Sequence, residues 1–70
     1  MSVELNAGLP STRYIQTYIK EKTRVEVKLV TGDAITGTIH WQDPGCICII
    51  TADESSTLIW RQAIVYLQPK

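Results

Sequence analysis

The chain has 70 residues, seven basic and seven acidic side chains that cancel, 44% hydrophobic residues, two cysteines and one histidine. These values describe one small domain without an apolar run approaching a membrane span, and without bulk charge to attract phosphate, so nucleic acid would have to be held by local patches. A domain this short buries only about 60% of its unfolded surface, and its core needs a supplement.

Residues 1–8 lack hydrophobic periodicity and read as a flexible tail, with the domain over 9–70. The first ten residues, MSVELNAGLP, include an acid and no continuous apolar stretch, so no signal peptide is expected. The spacing then predicts a helix over 11–21, with Ser11 as N-cap after Pro10 and Ile15, Tyr18 and Ile19 on one face at i, i+3, i+4. Lys20 and Lys22 close its last turn, where cations complement the helix dipole.

After Thr23 the period changes to two. RVEVKLV sets Val25, Val27 and Leu29 against Glu26 and Lys28, the pattern of a half-buried strand. TGD turns the chain, and AITGTIHW places Ile35, Gly37, Ile39 and Trp41 on one side, with Gly37 marking a bend or a close backbone approach. QDPG is a second turn; CICIIT is apolar on both faces and must be covered on both; ADESS is a third turn. TLIW and AIVYL are two last strands, separated only by Arg61 and Gln62.

Cys46 and Cys48 fall on the same face of a strand, roughly 6.6 Å apart along the chain, a separation unsuited to a relaxed disulfide. With His40 alone beside them, they fall short of the four ligands of a structural zinc site. Two buried free thiols are expected, with no metal or cofactor, in keeping with a reducing cytoplasm. A helix followed by five short antiparallel strands with a glycine bend reads as a strongly curved open barrel. Its apolar, uncharged last strands leave edges that should pair with another copy, and such head-to-tail contacts close into rings or run on as fibres.

VEVKLVTGDAITGTI resembles the first Sm motif, through Val25, Val27, Leu29, Gly32, Gly37 and Ile39, with Asp43 a few residues on. IWRQAIVYL is similar to the short second Sm motif of the Hfq family of bacterial Sm-like RNA chaperones, usually Tyr-Lys-His-Ala-Ile. The resemblance spans residues 9–67, and the chain's departures from the family pattern resemble those of a divergent, short, cyanobacterial-type member. It implies a mainly β Sm-like fold, an N-terminal helix on a bent five-stranded antiparallel sheet, assembled as a homohexameric ring through the fourth strand of one subunit and the fifth of the next. Non-enzymatic binding of small regulatory RNA and mRNA in the bacterial cytoplasm is implied with it: post-transcriptional regulation, without membrane insertion.

Carried over position by position, the resemblance places a proximal-pore RNA site for U-rich RNA at Arg61, Gln62, Ser11 and Asp43. It places a rim site at Lys20, Lys22 and Arg24, and a distal-face site at Lys28, Gly32, Asp33 and Ile35. The subunit interface falls on Leu58, Ile59, Trp60, Ile64, Val65 and Tyr66. Arg61-Gln62 stands where the family has Lys-His, Gly45 where it has a base-stacking aromatic, and Lys28 where it has an aromatic platform. A base stack is worth about 1–3 kcal/mol, so these departures weaken the RNA sites. They also raise an alternative: a ring-shaped scaffold that binds a protein partner in place of RNA.

Each feature has a plainer reading. An arginine at a turn is most often solvated, although a ring collects one Arg61 per subunit around one pore and so concentrates charge that calls for an anion. Asp43 reads as a brace of its turn, Trp41 and Trp60 as packing residues, and His40 as surface. Tyr14 and Tyr66 remain open between packing and a ring surface.

Overall fold

The computed structural model describes residues 8–70, so the expected tail lies outside the described residues apart from Gly8. Helix α1 spans Pro10–Glu21 and begins one residue earlier than its sequence suggests. Ser11 is not its N-cap: Leu9 holds that position in an extended conformation without a side-chain bond, and Pro10 opens the helix. Proline suits the first helical position because the N–H it lacks would be unpaired there anyway. The helix stops where Lys22 turns left-handed at φ 53°. Thr23 N–H then closes onto the Tyr18 carbonyl at 3.0 Å.

Five strands follow: β1 (Arg24–Leu29), β2 (Ala34–Gln42), β3 (Cys46–Thr51), β4 (Ser56–Trp60) and β5 (Ile64–Pro69), with a single 3-10 turn, Arg61–Ala63, between the last two. They form one antiparallel sheet in the order β4-β3-β2-β1-β5. The helix and open five-stranded sheet read from the sequence are therefore present, with β4 and β5 as its edges. Val25 and Val27 of β1 meet Ile39 of β2, Ile47 and Ile49 of β3 and Ile59 of β4 in one core, and Ile15, Tyr18 and Ile19 of α1 pack onto it. Each such side chain, fully buried, contributes roughly 1.5–3 kcal/mol of transfer free energy. In β3, Cys46 to Ile49 are all buried, so the strand is covered on both faces as its composition requires.

Two irregularities shape β2. At Gly37 a Cβ would lie 2.3 Å from the Ile50 carbonyl oxygen and 2.7 Å from Cγ2 of Ile49, so β2 and β3 approach there as only glycine permits. Further on, the β2–β3 register shifts between Ile39 and Trp41: Ile39 faces Ile49, Trp41 faces Cys48 and Gln42 faces Ile47. This bulge leaves His40 without a partner in β3 and reverses the side-chain phase beyond it. Trp41 is therefore not on the side of Ile39, as simple alternation predicts, but exposed. Gln42, expected in a turn, is the last residue of β2 and shares the face of Ile47.

Candidate nucleic-acid interface

The second turn and the Arg61–Ala63 turn meet at one end of the sheet. Asp43 organises the first of them. Its Oδ1 accepts the backbone N–H groups of Gly45 at 2.9 Å and Cys46 at 2.8 Å, and its own N–H reaches the Cys46 carbonyl at 2.9 Å. The bonds from Cys46 and then Gly45 hold its carboxyl below the usual carboxylate range. The Gly45 carbonyl in turn accepts Arg61 N–H at 3.0 Å, which ties the two turns together.

The Arg61 guanidinium is half-buried at this junction. Its Nε–H donates to the Asp43 carbonyl at 2.9 Å, and Nη2 donates to Gln42 Oε1. Gln42 uses its own amide N–H groups on α1, donating to the Thr12 carbonyl at 3.3 Å and Gln16 Oε1 at 2.9 Å. Asp43, Pro44, Gly45, Trp60, Arg61 and Gln62 surround an open cavity of about 740 Å³. The space beside Gly45 is free, since a Cβ there would meet only Asp43 Oδ1 at 3.8 Å.

The structure thus gathers Arg61, Gln62 and Asp43 and leaves Ser11 apart. Ser11 lines a separate hollow of about 340 Å³ with Tyr14, Ile15, Tyr18 and Leu67. Lys20, Lys22 and Arg24 are all exposed near the end of α1 and the start of β1. Among the described residues the one ion pair is Lys70 with Glu26, at 3.5 Å, and these three cations take part in none. The distal-face set is divided. Lys28 pairs with Tyr66 across β5, Gly32 and Asp33 sit in the turn, and Ile35, opposite Val27, packs against the core.

The strand residues assigned to an interface also divide. Ile59 belongs to the core of its own chain and Ile64 packs against it, whereas Leu58, Trp60, Val65 and Tyr66 are exposed. Trp60 is 54% exposed and lines the Arg61 cavity, in place of the packing role expected of it. Tyr66 Oη donates to Glu26 Oε2 at 3.0 Å, and that bond raises its pKa.

Gln42 is the site residue that sequence reasoning missed. No sequence signal marks the bulge that turns it toward α1.

Cys46 and Cys48 are buried and free, and burial, with Asp43 alongside, pushes the Cys46 thiol up and away from thiolate character. The described residues hold no group of three or more metal-ligating side chains, and no helix among them is long and apolar enough to cross a membrane.

Comparison with known proteins places this architecture. A family model described as Hfq related matches residues 9–69. The RNA-binding protein Hfq of Caulobacter sp. (strain K31) is 30% identical over 69 residues, 99% of this chain and 82% of the relative. Its counterpart in Caulobacter vibrioides (strain NA1000 / CB15N) has the same identity and coverage. The crystal structure of an Hfq protein from Anabaena sp. matches with a TM-score of 0.81 at 62% identity, over 90% of this chain and 100% of that one. A structure of the pleiotropic translational regulator Hfq matches at a TM-score of 0.79 over 83% of this chain and 95% of that one; at 19% identity it supports the fold alone. On the match across 9–69 and the 62% identity to the Anabaena protein, the chain belongs to the Hfq family of Sm-like proteins.

Proposed function

We propose that the protein is an RNA-binding ring, a homohexamer joined through β4 and β5, that acts as a post-transcriptional regulator in the bacterial cytoplasm and takes single-stranded, U-rich RNA at Arg61 and Gln62. One observation carries this reading. Among the described residues the Arg61 guanidinium hydrogen-bonds to neutral acceptors, a backbone carbonyl and a glutamine oxygen, and is in no direct ion pair, the nearby Asp43 carboxylate acting on it through space, so its free donors face an open cavity. The curated relatives are named for RNA binding, which agrees. Lys20, Lys22 and Arg24 add an auxiliary basic patch, the lysines meeting phosphate as point charges and Arg24 with its planar fork. The role is binding, not catalysis.

Anisotropy titration with U-rich and A-rich oligonucleotides across a salt series tests it. Affinity for the U-rich strand should exceed that for the A-rich one and fall with salt as counterions are released. Equal affinity of wild type and Arg61→Ala at low salt would remove the pore from the RNA site.

A second reading, a ring that grips a protein partner, is favoured by the net charge of zero and by the unfilled space at Gly45. A partner recovered by pull-down that survives ribonuclease supports it over the first.

A further inference from the structure

Two of the five N–H donors of an arginine are already engaged in Arg61, and they are the pair that forms one edge of the guanidinium, Nε with Nη2. Among the described residues the other three, on Nη1 and the outer side of Nη2, take no partner, and two of them form the end-on fork that matches two oxygens of a phosphate. Gln42 is what fixes this division. Its oxygen faces Arg61 because both of its amide hydrogens are taken by Thr12 and Gln16 of α1. The amide therefore has one allowed orientation, since a flipped group would set N–H against N–H. Asp43, the neighbouring carboxylate among the described residues, turns Oδ1 to the Gly45 and Cys46 N–H groups and acts on Arg61 only through space, while Arg61 is bonded to its backbone carbonyl.

We propose that Gln42 is the positioning residue of the Arg61 site: a strut from α1 that fixes the guanidinium end-on, so that the cavity takes a phosphodiester of single-stranded RNA through the free fork of Arg61. The inference rests on the RNA-binding reading above and adds the ligand group and the residue that selects it. It places recognition on the backbone, in keeping with the missing stacking side chain at Gly45.

The test compares U-rich hexanucleotide binding, over a salt series, for wild type and the variants Arg61→Ala, Gln42→Leu, Gln42→Glu and Gln16→Ala. Gln42→Leu removes the acceptor and keeps the charge, so affinity should fall roughly tenfold, while the salt dependence stays that of wild type. Gln42→Glu puts a carboxylate against the guanidinium, so the salt slope itself should drop toward that of Arg61→Ala. A merely structural role would not separate the two. Gln16 is exposed, so Gln16→Ala tests the strut without touching the core even if Gln42→Leu fails to fold, and a several-fold loss is expected. If wild type binds and Arg61→Ala does not, but Gln42→Glu and Gln16→Ala both bind as wild type, the strut is wrong and the RNA site stands. A wild type that ignores the hexanucleotide overturns the RNA reading itself, and the phosphodiester with it.

Discussion

Gly37→Ala puts one methyl group where two strands come closest. The new Cβ would sit 2.3 Å from the Ile50 carbonyl oxygen and 2.7 Å from Ile49 Cγ2. Ile49 is fully buried in the core and the Ile50 oxygen is backbone, so neither can swing aside as an exposed side chain would. Overpacking of this kind costs about 1–3 kcal/mol, and a clash with main chain belongs at the upper end. Stability of roughly 0.05–0.15 kcal/mol per residue gives a domain of this length only about 4–10 kcal/mol in total. At about 4–8 °C per kcal/mol for a domain this small, a loss of about 2–3 kcal/mol lowers Tm by roughly 10–20 °C. Thermal and urea unfolding followed by circular dichroism measures both quantities. A Gly37→Ala protein melting within about 2 °C of wild type would show that β2 and β3 do not approach as described, and the bend assigned to this glycine would fall with it.

Asp43→Asn keeps the oxygen that accepts both backbone N–H groups and removes its charge. Because the folded-state pKa of Asp43 is lowered, its ionised form contributes stability that is fully present above about pH 3.9, the ordinary aspartate value, and is lost as the pH falls through the lowered folded value. The stability gap between wild type and Asp43→Asn, from urea unfolding at several pH values, should be constant near neutrality and close in acid. Glu26→Gln should lower the Tyr66 pKa, read by ultraviolet difference titration, since the bond to Glu26 is what raises it. By the same linkage, Tyr66 stabilises the fold below its unfolded pKa and ceases to do so as the pH rises through the folded value. Leu58→Asp or Val65→Asp, each placing a charge on an exposed apolar position of an edge strand, should shift native mass spectra from ring to smaller species. A wild-type monomer under the same conditions would overturn the ring.

Local signals made most of the fold legible. The change of period at Thr23 marked the helix-to-sheet transition, the doubly apolar CICIIT marked a strand covered on both faces, and the Arg61-Gln62 interruption marked the break between β4 and β5. Gly37 advertised a close approach before its partner was known. What escaped was set by distant pairing. The bulge at His40 arises from how β2 meets β3, and no glycine or turn residue announces it. Without that phase reversal Trp41 reads as a core residue and Gln42 as part of a turn. The hydrogen bonds of Gln42 reach across 30, 26 and 19 residues, well outside any local window. Ser11 misled for a different reason: a good capping side chain was present, but Pro10 before it favoured the first helical position itself.

The bulge at His40 makes β2 a strand with two allegiances. Up to Ile39 its odd-numbered side chains belong to the core; after the extra residue an even-numbered one, Gln42, takes the inward place and speaks to the helix and the Arg61 turn. Drawing His40 into the ladder, so that the bulge closes, would leave the pairing from Gly37 to Ile39 intact, yet it would exchange an amide for an indole beneath α1. The domain would keep its hydrophobic interior and lose the hydrogen bond between Gln42 and Arg61. One half of the strand thus answers to the hydrophobic core and the other to the helix and the Arg61 turn.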